Sequence, residues 1–281
     1  FQAEDGIRDL VRSRGLGDVY KRQYQMMLNL PGSSKARDLA MFEELFNNPD
    51  FRPDHVKIYP LALVESAPVI ELYRRGEFKP YTKKALIELL CKIKPFVPPY
   101  VRIERVIRDI SAAQIVAGGA KVSNLRQLAH QEMERRGLTC QCIRCREIRS
   151  HKQGKTLLVR RDYEASGGRE IFLSIEDRAR KRLYSLLRLR VSDARQPLAV
   201  LQNAALVREL HTYGPQVEIG NSAPKAAQHK GFGKILLAEA ERMAKKEFGR
   251  QKIAVIAGVG AREYFRKLGY APDSTYMVKK L

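Results

Sequence analysis

The chain has 281 residues, 44% of them hydrophobic, enough for one large or two ordinary domains with buried cores. Its 52 Lys and Arg against 31 Asp and Glu give a net charge of +21, which favours polyanions such as nucleic acid or an acidic cofactor, although a basic surface also arises without such a partner. No apolar run reaches the ~18 residues of a membrane span and no secretory leader opens the sequence, so a soluble cytoplasmic protein with no membrane partner is expected.

Residues 1–23, FQAEDGIRDLVRSRGLGDVYKRQ, match nothing that follows and resemble the translated read-through of a sequencing adapter. They are set aside as a non-native segment, which makes the rest a fragment whose true beginning is lost. In residues 24–135, apolar runs such as VKIYPLAL and YVRIERVI alternate with helical patterns such as ARDLAMFEELFNN and TKKALIELLCKIKPF, with proline breaks between them. That alternation predicts parallel β/α units. Two or three units do not close a barrel, so this region reads as the last part of a larger one.

Residues 136–165 read as a polar, basic linker. Within 121–161 there are eleven Lys or Arg and three Glu, and the same stretch holds Cys140, Cys142 and Cys145 as C-x-C-x-x-C. In a reducing cytosol such spacing points to a metal or redox site, and three thiolates on one short loop suit tetrahedral zinc. A coincidental cluster is the alternative, since no second C-x-x-C follows. His130, His151, Cys91 or water are candidates for the fourth position.

From 166 to 281 the runs REIFLSIED, RLYSLLRLRV and AALVRELHTYG predict antiparallel strands. The helix KILLAEAERMAKKEF, the strand KIAVIAGVG, the helix AREYFRKLG and the strand TYMVKKL follow. Between strand and long helix lies QHKGFG. Gly231 and Gly233, flanking Phe232, let backbone N–H groups approach a pyrophosphate, and the helix start at Lys234 adds its partial positive charge. A plain tight turn before a helix is the other reading.

The segment resembles the acetyl-CoA motif [QR]-x-x-G-x-[GA] of the GNAT acetyltransferase family, here Gln228, Gly231 and Gly233. The resemblance implies that the preceding strand splays from its neighbour and that its main chain at Glu209, Leu210, His211 and Thr212 pairs with the pantetheine arm. It also implies that the aromatic pair of AREYFRKLGY packs beside the thioester. The sequence departs from the family at Phe265, where many members carry tyrosine. Tyr264 holds a hydroxyl that substitutes for it or is a core aromatic, and His211 polarises the carbonyl or is a structural histidine.

Taken together, LPGS, FRPDHVKIYP, LYRRGEFKPYT, VRIERVIRDIS, CQCIRCREI, ALVRELHTYG, QHKGFGKILLAEAER and IAVIAGVGAREYFRKLGY resemble the family of Elongator catalytic subunits over residues 24–281. The fold class implied is α/β: the C-terminal part of a radical-SAM β/α partial barrel, a zinc-binding linker carrying Cys140, Cys142 and Cys145, and a GNAT-like domain. The implied activity forms 5-carboxymethyluridine at the tRNA wobble position from acetyl-CoA and an S-adenosylmethionine-derived radical. A 4Fe-4S cluster serves that radical chemistry in the full-length protein, but its cysteines belong to an earlier region and have no counterpart here. The resemblance further implies tRNA contacts by Arg144 and Arg146. Arg102, Arg105 and Arg108 alternate with apolar positions in a strand-like way and serve a tRNA cleft or a solvated face. Other Elongator-type subunits or a homodimer are the expected protein partners. A GNAT lysine acetyltransferase and a non-catalytic zinc-containing tRNA-binding module are the alternatives.

Overall fold

The structure, a computed structural model, describes residues 22–149, 154–193, 196, 198–214 and 231–281. Its described residues fall into two compact units that divide between Cys145 and Arg146. The first contains β1 (Gln23–Leu28), α1 (Lys35–Asn47), β2 (His55–Pro60), β3 (Leu63–Val64), α2 (Val69–Arg74), α3 (Lys83–Ile93), β4 (Arg102–Arg105), β5 (Ile115–Ala117) and α4 (Leu125–Arg135). The short α5 (Ile143–Arg146) carries the division itself.

β1, β2 and β4 form a parallel sheet in that order, with Gln23 opposite His55 and His55 opposite Arg102. Parallel neighbours need a crossover, which α1 supplies for the first pair and α2 with α3 for the second. Leu28, Val56, Ile58 and Ile103 on the strands and Phe42, Leu86 and Leu90 on the helices are buried. Each such side chain contributes about 1.5–3 kcal/mol by leaving water. Ser34 and Thr82 cap α1 and α3 by accepting the N–H groups of Arg37 and Ala85. One boundary differs from the sequence reading: Arg22 and Gln23 belong to this unit, because Asp54 N and His55 N both donate to Arg22 O.

The second unit continues with β6 (Thr156–Ala165), β7 (Gly168–Asp177), β8 (Leu183–Val191), β9 (Ala204–Thr212), α6 (Phe232–Lys246), β10 (Lys252–Ile256), α7 (Arg262–Arg266), β11 (Ala271–Asp273) and β12 (Tyr276–Lys280). They build a seven-stranded sheet of order β11-β12-β10-β9-β8-β7-β6. β6 to β9 run antiparallel, and β10 returns parallel to β9 after α6. Phe232, Leu236, Leu237, Ala240, Met243 and Ala244 form the buried stripe of α6, packed with Leu187, Leu189, Val207 and Val255 of the sheet. Their spacing follows the helical period.

The α/β class is as expected, but the linker is not one piece. Residues up to Cys145 go with the first unit, and Thr156–Ala165 forms the ten-residue edge strand β6. Its exposed charges, including Arg160 and Asp162, hide the strand signal, as charged residues on sheet edges often do.

Candidate functional site

Two sites emerge, one in each unit. In the second, β10 pairs with β9 only from Lys252↔Ala204 to Val255↔Val207, while β9 continues to Thr212 along β8. Beyond Val207, then, β9 has no β10 partner, which leaves an opening in the ladder. α6 begins beside this opening at Gly231, whose φ of 70° is left-handed and suits glycine. Ile235 N donates to Gly231 O, so the first-turn amides of Phe232, Gly233 and Lys234 precede the helical ladder, the position from which helix N-termini meet anions.

A cavity of about 470 Å³ is lined here by Leu210, Thr212, Gly231, Gly233, Lys234, Ala261, Tyr264 and Phe265. A Cβ added at Gly233 would lie 3.1 Å from the Tyr264 hydroxyl, so the phenol stands over the mouth of α6. Burial raises the Tyr264 pKa, which keeps the hydroxyl protonated near neutral pH. Phe265 is buried and packs edge-on against Tyr264 at 5.3 Å between ring centroids.

Not every expected residue turns its side chain into this cavity. Phe232 turns its ring into the core, 6.2 Å from that of Tyr184, and offers the site only its backbone. Glu209 is ion-paired to Arg188 at 2.9 Å, and the exposed His211 stacks near Tyr213 at 4.3 Å; neither side chain lines the cavity. The reason is a register shift. Arg188 faces Glu209 but Leu189 faces Val207, leaving Arg208 as an extra residue that turns Leu210 and Thr212, rather than Glu209 and His211, to the cavity. Gln228 lies outside the described residues. Ala261 was not singled out in the sequence, where nothing distinguishes it from neighbouring small residues.

In the first unit, Cys140, Cys142 and Cys145 bring their Sγ atoms within 4.8 Å of one another. Gly137, at φ 67°, ends α4 with Leu138 N donating to Met133 O and turns the chain toward the first cysteine. Ile143 N bonds Val101 O, which ties the loop to the start of β4. Hydrogen bonds with Cys140 and Cys145 hold the Cys142 thiol well below the usual range, against the effect of burial and with help from Lys94. Lys94 Nζ and His130 Nε2 lie 3.8 and 3.6 Å from Cys145 Sγ. Three compact soft donors with a neighbouring imidazole fit a thiophilic metal ion. Cys91 is elsewhere, its thiol on Ala129 O, and His151 lies outside the described residues.

The arginines divide. Arg105 and Arg108 are exposed, the first paired with Asp109 and the second lining a cavity of about 390 Å³ with Lys121 and Ser123. Arg102 is half-buried and 3.3 Å from Glu104, and Arg144 is half-buried and close enough to help depress that carboxyl, after His55, whose Nδ1 is 2.6 Å away. β4 ends at Arg105, so Arg108 is not on the strand as its spacing suggested. Arg146 is buried and bound to Glu176 at 2.9 Å, which overturns its expected place at a phosphate.

Against known proteins, the radical SAM C-terminal domain family matches residues 53–135. The chain is 45% identical to the tRNA uridine(34) acetyltransferase of Methanocaldococcus infernus, over 99% of this chain and 53% of that protein. It is 44% identical to Elongator complex protein 3 of Schizosaccharomyces pombe, over 93% of this chain and 49% of that one. A solved structure of the archaeal Methanocaldococcus infernus Elp3 with an N-terminal deletion matches with a TM-score of 0.87 at 44% identity, covering 100% of this chain and 67% of that one. The chain belongs to the Elongator complex protein 3 family.

It spans about half the length of the curated relatives it matches. Within this Elongator complex protein 3 relative, the radical SAM match ends at the last residue of α4, just before the glycine turn into the cysteine loop. No helix among the described residues is long and apolar enough to cross a membrane.

Proposed function

We propose that this chain is the acyl-CoA-binding and tRNA-contacting part of an enzyme that modifies the wobble uridine of tRNA, forming 5-carboxymethyluridine from acetyl-CoA. The observation that carries this reading is the cavity that Leu210 and Thr212 of β9, past the end of its pairing with β10, share with Gly231 and Gly233 at the mouth of α6 and with Tyr264. The first-turn amides of α6 hold the coenzyme A diphosphate, and the main chain of β9 beyond Val207 pairs with the pantetheine arm. Tyr264 gives its proton to the coenzyme A sulfur as the carbonyl carbon–sulfur bond breaks during hydrolysis of the thioester by water. Phe265 packs beside the thioester without exchanging protons.

Zinc is the metal we assign to Cys140, Cys142 and Cys145, where it would staple the loop that follows α4. Arg105 and Arg108, the exposed members of the basic set, meet tRNA phosphates, with Arg102 and Arg144 behind them. S-adenosylmethionine and an iron–sulfur cluster would supply radical chemistry to the full-length protein. This chain has only four cysteines, three of them in the metal loop, so its own residues do not furnish the cluster's ligands. Elongator-type subunits or a second copy are the partners this assignment carries with it, and the cytoplasm the place.

Labelled acetyl-CoA incubated with the chain and either tRNA or a lysine-rich protein tests the reading. Release of coenzyme A that depends on tRNA supports it. Label on protein lysines gives the lysine acetyltransferase instead, and failure to bind any coenzyme A derivative leaves a zinc-containing tRNA-binding module.

A further inference from the structure

Lys94 opens the 3-10 turn Lys94–Phe96 that follows α3, and it is completely buried. An ammonium group persists in such a place only where an opposite charge or a strong acceptor meets it. Among the described residues, the polar partner of Lys94 Nζ is Cys145 Sγ at 3.8 Å. Cys145 is also the least buried of the three cysteines, hence the one that packing alone holds least firmly.

Charge arithmetic gives the contact a purpose. A divalent ion bound by the three thiolates carries a surplus negative charge, which a neutral fourth ligand leaves in place. In a dry surrounding that surplus is costly unless a cation stands beside it. Arg126 is a second nearby cation, but its Nη2 is committed to the carbonyls of Ile103 and Glu104 at 3.0 and 3.1 Å. Lys94 alone among the two donates directly to a thiol of the cluster.

We propose that Lys94 is a positioning residue of the cysteine centre: its ammonium balances the surplus charge of the metal-bound thiolates and holds Cys145 at the ion. The inference rests on the metal reading of the three cysteines. Outer partners of this kind typically change metal affinity 10- to 100-fold when removed.

The test uses the full chain and the variant Lys94→Met, whose side chain is similar in length and apolar. Zinc content, zinc transfer to a chromogenic chelator and the thiolate-to-cobalt absorption of the cobalt(II) form are measured, with circular dichroism to confirm folding. The expected result is a roughly tenfold or greater loss of metal affinity and a changed cobalt band in a folded protein. A purely structural lysine would leave both unmoved. If Lys94→Met is not recovered folded, Lys94→Gln, which keeps a donor but no charge, supplies the same readout. A wild-type chain that holds zinc while the variant holds it as tightly overturns this inference alone. A wild-type chain that takes up no metal overturns the metal reading and this inference with it.

Discussion

Gly233 separates what the helix needs from what the cavity needs. Alanine is favoured over glycine in a helix by about 1 kcal/mol. Yet a Cβ here would stand 3.1 Å from the Tyr264 hydroxyl and intrude on the cavity. Gly233→Ala is expected to keep or raise the thermal midpoint while weakening coenzyme A binding about tenfold or more, a split that calorimetry with paired melting curves resolves. Tyr264 offers a complementary test. Tyr264→Phe keeps the ring that packs edge-on against Phe265 and removes only the hydroxyl. Coenzyme A affinity should stay within about twofold while thioester turnover falls roughly 100-fold, as loss of a general acid predicts. Equal losses in both would assign Tyr264 to packing.

At the scale of elements, the start of α3 is held from two sides. Thr82 Oγ1 accepts Ala85 N at 3.2 Å, and Gly119 N donates to Tyr81 O at 2.7 Å. The backbone of Gly119 lies so close that an added Cβ would meet Lys83 N and Thr82 C at 2.6 Å, and backbone atoms of a helix start have little room to yield. Thr82→Ala should cost about 1 kcal/mol through the lost cap. Gly119→Ala should cost more, roughly 1–3 kcal/mol, through overpacking. Urea unfolding of the two variants side by side checks both size and order; a Gly119→Ala protein as stable as wild type would contradict the clash. The threonine is readable as the first residue of the predicted helix TKKALIELLCKIKPF. The glycine is not readable in this way, since its neighbour is 36 residues away and only folding brings them together.

Across the second unit as a whole, one face of the sheet carries the apolar core and the other carries buried ion pairs. Glu170 binds Arg190 and Arg208, each at 2.8 Å, and Glu176 binds Arg161 at 2.7 Å and Arg146 at 2.9 Å. Burial alone would raise the Glu176 carboxyl, but Arg161, Arg146 and Ser174 outweigh it and hold the group below its ordinary range. A carboxylate depressed in the folded state stabilises fully above its unfolded pKa of about 4.3, and that contribution is lost as pH falls through the lower folded value. The urea midpoint of the chain should therefore fall on acidification below about pH 4.5. Glu176→Gln should start lower at pH 7, because the buried Arg146 and the half-buried Arg161 lose their counter-charge, and should show a flatter acid limb. An acid limb of unchanged slope in the variant would remove Glu176 from this role.

What the sequence determined by itself was local. Strands and helices whose apolar period matched their burial were legible, as were the glycines at the mouth of α6 and the three cysteines, because their chemistry is written in short spacings. β6 was lost to the linker because charges crowd an edge strand, and the phase of β9 beyond Val207 was not legible because one extra residue, Arg208, reverses the alternation that a strand pattern assumes. Only the tertiary structure decided that His211 turns from the cavity, that Arg146 serves a carboxylate rather than a phosphate, and that Lys94 meets a cysteine. Each depends on partners many residues apart, and contacts of that kind leave no periodic trace in the chain.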